Sequence, residues 1–178
     1  MLISKRFLKG GEGMKSVVIF YSLDGHTKFV AELLAQELKA DLVELELVKP
    51  FPTKGFRKYF WCGKSSVFRE KPALKTKIPN LQEYDLIVIG TPVWAGNCAS
   101  PINTLLSIIS NAQKLQGKKV GMLITNSGGS IKGCVKRVKK VLSENEFLEP
   151  LYFVNPSKDN KDEILKKIRE WVQSVDLG

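Results

Sequence analysis

Apolar and polar positions follow two rhythms along this chain. Residues 17–21, 86–89 and 120–124 are continuous apolar runs. Short runs of this kind suit strands buried on both faces of a parallel sheet. Residues 42–47 (LVELEL) instead alternate apolar with acidic, as a half-exposed strand does. Residues 147–154 are apolar but carry Pro150, which cannot donate to a ladder and belongs at a sheet edge. Between these runs the period lengthens. Phe29, Val30, Leu33, Leu34 and Leu38 share one helix face, and Ile131, Cys134, Val135, Val138, Val141 and Leu142 share another. Ile164, Leu165, Ile168, Trp171, Val172 and Val175 line a last helix, after a cap region at 157–159. Residues 101–112 begin with Pro101, which fits a first helical turn. The aromatic and basic stretch 53–75 predicts a short helix and then a loop.

Strands alternating with helices imply an α/β fold: one five-stranded parallel sheet with right-handed crossovers and helices on both faces, a three-layer sandwich. The three doubly buried strands belong in the centre and the two weaker ones at the edges. The order 2-1-3-4-5 satisfies this. In such a sheet ligands bind beyond the carboxyl ends of the strands, at the switch point between strands 1 and 3. Three loops lie there, at 22–27, 91–100 and 126–130.

Length and composition fit one globular domain. The chain has 178 residues, with 43% hydrophobic and 26% charged positions, so it can bury a core of its own. Residues 14–178 read as that domain. Residues 1–13, with adjacent glycines and no apolar period, read as a flexible extension, with Met14 the natural start. No apolar run approaches the ~18 residues of a membrane span, and no secretory signal is evident. Cys62, Cys98 and Cys134 are widely spaced, without a CxxC, beside one histidine. This argues against a zinc site or a disulfide framework, and the chain reads as cytoplasmic. All three cysteines read as packing residues, and no base is recognisable that would make Cys98 a nucleophile.

The first loop, Ser22-Leu23-Asp24-Gly25-His26-Thr27, offers two hydroxyls, a glycine and a helix N-terminus. That combination suits a phosphate, although a simple capped turn would look the same. Neither GxxxxGK[ST] nor GxGxxG is present, which disfavours a nucleoside triphosphate or a dinucleotide. The second loop contains Thr91, Pro92, Val93, Trp94, Ala95, Gly96 and Asn97. Its Trp94 can lie against a planar ring or serve as a core cover residue. The third, with Asn126, Ser127, Gly128 and Gly129, offers free amides and small side chains.

Together the three loops resemble those of the flavodoxin family of FMN proteins. YSLDGHTKFVAELLA is similar to that family's phosphate loop and first helix. GTPVWAGNCASPINTLL is similar to the flavin-ring loop of its short-chain members, and TNSGGS stands where a third flavin loop is expected. The resemblance covers nearly all of residues 14–175 and implies a flavodoxin-like fold with FMN as cofactor. It would place the FMN phosphate on Ser22, Gly25, His26 and Thr27, with amides from Leu23 and Asp24. The ring would lie against 91–97, and 126–129 would line the ribityl chain and pyrimidine side. It also implies a peptide near Ala95 and Gly96 whose carbonyl accepts from flavin N5–H. His26 stands where Asn is commoner, and Asp24 must point to solvent or cap the helix, because its charge would repel a phosphate.

The resemblance implies electron transfer, with FMN-dependent reduction of a quinone-type acceptor by NAD(P)H as the alternative. No acid/base pair demands an enzyme and no nicotinamide motif is recognisable. A flavin-free basic module for nucleic acid is a third reading, against which the phosphate loop argues. The net charge of +10, from 28 Lys and Arg against 18 Asp and Glu, departs from the acidic family norm. Lys132, Lys136, Arg137, Lys139 and Lys140 line the polar face of one helix. They read as a solvated face or as a docking surface for an acidic redox partner.

Overall fold

The computed structural model describes residues 14–52 and 55–176. The expected extension at 1–13 lies outside the described residues. Along the chain run β1 (Ser16–Phe20), α1 (His26–Leu38), β2 (Asp41–Glu44), α2 (Gly55–Val67), β3 (Leu86–Trp94), β4 (Asn97–Cys98), α3 (Ser100–Ile108), β5 (Lys119–Asn126), α4 (Lys132–Val141), β6 (Glu146–Phe147), β7 (Leu151–Val154) and α5 (Lys161–Asp176).

The sheet path is β2-β1-β3-β5-β6, with β7 also beside β5, and all of these pairings are parallel. This is the expected order with the fifth strand in two pieces. The break spans residues 148–150, where Pro150 has no amide to give. One strand is an addition. β3 continues past the apolar run to Trp94 and turns back antiparallel through β4, pairing Val93 with Cys98 and Trp94 with Asn97.

Strand alternation sorts the core into two layers. Val17, Ile19, Ile87, Ile89, Val120, Met122 and Ile124 meet Ile102, Leu105 and Leu106 of α3 and Cys134 and Val138 of α4. Val18, Phe20, Leu86, Val88 and Leu123 meet Val30 and Leu34 of α1 and Ile164, Ile168 and Trp171 of α5. Burying each large aliphatic chain contributes about 1.5–3 kcal/mol, so the sheet is held from both sides. Gly121 is set by this packing: a Cβ there would lie 3.0 Å from the Trp171 ring. The same indole donates its Nε1–H to Glu149 O at 2.7 Å, in the break of the last strand. At the outer strand, Lys167 of α5 donates to Tyr152 O at 2.8 Å and lies over the Tyr152 ring.

Tyr84 sits at the amino end of the sheet and donates to Asp41 Oδ2 at 2.7 Å. Burial first, and then the Asp41 bond, push its phenol up to about 12. Burial also pushes the Tyr21 phenol up, helped by Cys62 and Asp24. The folded state thus keeps protons that the unfolded chain releases near pH 10. Their contribution to stability is complete below pH 10 and is lost as pH rises toward 12 and beyond. Urea midpoints are expected to fall across this window, with a shallower fall in Tyr84→Phe.

Candidate functional site

A cleft of about 460 Å³ opens at the carboxyl ends of β1, β3 and β5. Its volume is in the range of small-molecule and cofactor sites. Its lining includes Ser22, Leu23, Asp24, His26 and Thr27 from the first loop, Pro92, Val93, Trp94 and Ala95 from the second, and Asn126 and Ser127 from the third. The three loops therefore share one cavity. Gly25, Thr91, Gly96, Asn97, Gly128 and Gly129 shape these loops without lining the cleft.

Gly25 is the residue that starts α1. It sits at φ 85°, a left-handed position, and no side chain caps the helix. The first turn thus presents amides that have no partner within the helix. Asp24 is exposed and does not serve as the cap. Ser22 Oγ accepts from Gly25 N at 3.1 Å, closing the loop. That bond leaves the Ser22 hydroxyl proton to donate elsewhere. Thr27 is buried, with Oγ1 2.8 Å from Thr125 Oγ1. His26 Nδ1 lies 2.8 Å from Pro156 O. A carbonyl only accepts, so Nδ1 is the protonated nitrogen.

The second loop is a hairpin. Ala95 and Gly96 are its two central residues, at φ 47° and 75°, the positive pair that a type I′ turn requires. Glycine adopts this freely, whereas alanine is strained. Asn97 Nδ2 donates to Ala95 O at 3.1 Å and braces the turn. Thr91 is fully buried and works behind it, accepting from Ala99 N at 3.1 Å. Trp94 is half-buried in the cleft wall and held edge-on by Tyr21 and Phe51, at centroid distances of 5.7 and 5.6 Å. In the third loop Asn126 is a scaffold: Oδ1 accepts from Gly128 N and Nδ2 donates to Gly129 O, both at 3.0 Å.

The hairpin and α4 touch closely. A Cβ on Gly133 would stand 2.5 Å from Gly96 O, a backbone atom that cannot swing aside. Gly133→Ala is therefore expected to cost about 1–3 kcal/mol through the clash. Gly63 in α2 has open space around it, so Gly63→Ala should instead stabilise by up to about 1 kcal/mol through helix propensity. Thermal melts of the two variants should shift in opposite directions.

Sequence reasoning argued against a disulfide and read Cys98 and Cys134 as packing residues. The structure corrects this. They are bonded to each other, with Cα atoms 4.7 Å apart and a sequence separation of 36. The crossover from β4 through α3 and β5 brings them together, which spacing could not show. Other contributors were also missed: Thr125, Asn155, Pro156, Cys62 and Gly63 line the cleft. Asn155 and Pro156 follow β7, so the carboxyl-end rule would have found them. Among the described lining residues only Asp24, His26 and Cys62 can ionise, and none is Lys or Arg. Apart from the Asp24 carboxylate, an anion would meet neutral amides and hydroxyls.

A family model described as flavodoxin matches residues 15–175. The chain belongs to the flavodoxin family. No curated protein matches this flavodoxin. A flavoprotein from Bacteroides eggerthii is similar in structure, with TM-score 0.74 and 24% identity over 92% of this chain and 98% of that one. A flavoprotein from Bacteroides uniformis has TM-score 0.73 and 22% identity, over 91% and 99%. A Lactobacillus acidophilus flavoprotein in complex with FMN has TM-score 0.66 and 24% identity, over 84% and 97%. These likenesses show the fold. No helix among the described residues is long and apolar enough to cross a membrane.

Proposed function

We propose that this flavodoxin binds FMN in the carboxyl-end cleft and transfers electrons between partner proteins. The observation that carries the reading is the meeting of three loops, an uncapped helix N-terminus, hydroxyls and a braced tryptophan in one cavity of about 460 Å³. Bound flavin would supply one- or two-electron redox chemistry. The protein's part is to hold and orient it. Ser22, Gly25, His26 and Thr27, with amides of Leu23 and Asp24, would hold the phosphate. The fit is chemical: a helix N-terminus and neutral donors suit a monophosphate. Trp94 and the 92–97 hairpin would flank the ring, with Thr91 supporting the hairpin from behind. Residues 126–129 would edge the remainder, beside Thr125.

The basic face of α4 supports an acidic redox partner. Lys132, Lys136, Lys139 and Lys140 are exposed on it, and its first turn touches the hairpin at Gly96. Positive charge this close to the cleft would steer an acidic surface toward it. The test is to add FMN to the purified chain, remove the excess and record the visible spectrum. Retained flavin bands support the reading. A colourless protein that leaves added FMN fluorescence unquenched overturns it. Bleaching of retained flavin by NAD(P)H alone would make the protein a reductase instead.

A further inference from the structure

We propose that Cys98 and Cys134 are a second redox centre, a reversible dithiol–disulfide pair whose state sets how firmly the Ala95 and Gly96 turn is held. The proposal rests on the FMN reading only for its effect on cofactor binding. Four observations carry it. Cys98 is half of the two-residue strand β4, the return arm of the hairpin whose tip is Ala95 and Gly96. Cys134 stands in the first turn of α4, next to Gly133, whose backbone meets Gly96 O. The bond therefore ties the hairpin to the helix at the point where their backbones already touch. Both sulfurs are buried in the layer between sheet and helices, so breaking the bond leaves two thiols that the core accommodates as small apolar groups.

The elements at either end are lightly held. β4 pairs with β3 at two positions, and at the start of α4 Ile131 gives no side-chain cap, leaving Ser130 Oγ, which accepts from Lys132 N at 3.3 Å. A short hairpin arm and a helix start held by one long side-chain bond can open locally without global unfolding, which admits an attacking thiolate. In a reducing compartment such a bond is transient rather than permanent.

The chemistry balances with ordinary cellular thiols. A dithiol reductant breaks the Cys98–Cys134 S–S bond, passes two electrons and two protons to it, and leaves as its own cyclic disulfide. In the reverse direction a low-molecular-weight disulfide such as glutathione disulfide is cleaved. It takes the two electrons and two protons and leaves as two thiols, and the protein S–S bond re-forms.

The test uses the full chain freed of flavin, held in oxidising or reducing dithiothreitol buffers, with the Cys98→Ser/Cys134→Ser variant as control. Thiols are alkylated and counted by mass spectrometry, and amide hydrogen exchange is followed at 93–98 and 131–136. The expected count is one thiol per chain, at Cys62, in oxidising buffer and three in reducing buffer, reversibly. Exchange in both segments should be at least about tenfold faster in the dithiol state, with no buffer effect in the variant. An unchanged thiol count, or equal exchange in the two states, overturns the proposal. FMN titration in the same buffers then reads the link to the site, expected as at least a fivefold change in Kd. An equal Kd overturns that link. Failure to bind FMN in either state defeats the cofactor reading alone, since the thiol counts and exchange rates are obtained without flavin.

Discussion

Replacing Ser22 and Thr27 together with alanine should weaken FMN binding by roughly two to four powers of ten. Each hydroxyl would donate to a charged phosphate, and such bonds contribute about 1.5–3 kcal/mol each. Two of them amount to about 3–6 kcal/mol, at 1.4 kcal/mol per tenfold. The hydrogen bonds around them explain why these hydroxyls are available. Ser22 Oγ already accepts from Gly25 N, so its proton is left to point outward. Thr27 Oγ1 is paired with Thr125 Oγ1. If Thr125 donates, the Thr27 proton is likewise released toward the cleft. Thr125→Val should therefore weaken binding as well, by less than Thr27→Ala. Riboflavin, which has no phosphate, supplies the control. Its affinity should be nearly unchanged in the double variant, as read by quenching of flavin fluorescence. Equal losses for FMN and riboflavin would mean that the loop acts on the ring, and the phosphate assignment would fall.

Trp171→Ala is expected to cost about 3–5 kcal/mol, the range for deleting a large buried aromatic. The indole fills the space over Gly121 and bonds Glu149 O, so packing and a part-buried hydrogen bond are lost together. Gly121→Ala alone should cost about 1–3 kcal/mol, since the new methyl would stand 3.0 Å from the ring. Combined, the two changes should be less harmful than their sum by about 1 kcal/mol or more, because the methyl then enters space the ring has vacated. Urea denaturation of the four proteins closes the cycle. Strict additivity would show that Trp171 and Gly121 do not share that space.

These packing relations mark the limit of what the sequence discloses. The runs 17–21, 86–89 and 120–124 announced the central strands, because a doubly buried strand has no polar face to hide. Pro150 announced the edge position of the last strand, but not the break in it. The three cleft loops were legible because a parallel sheet collects its carboxyl ends on one side. The hairpin after Gly90 was not, since residues 91–98 show neither alternation nor the Asn-Gly or Asp-Gly pair that marks most type I′ turns. The Cys98–Cys134 bond was hidden for another reason. Its partners are neighbours only after a helical crossover has folded, and no local pattern encodes that meeting. Thr125 was not named as a site residue because it directly follows an apolar run and reads as strand, although the carboxyl end of such a strand faces the cleft.

The broken outer strand has a consequence for how copies of this protein meet one another. An exposed sheet edge normally presents a row of unpaired amides and carbonyls, a template on which another chain can add a strand and begin to aggregate. Here the template is spoiled. Pro150 removes an amide, and the Lys167 ammonium already occupies the carbonyl of Tyr152. An incoming strand would have to displace a bound cation and skip a donor. The outer edge thus resists fibre-like growth through Pro150 and Lys167.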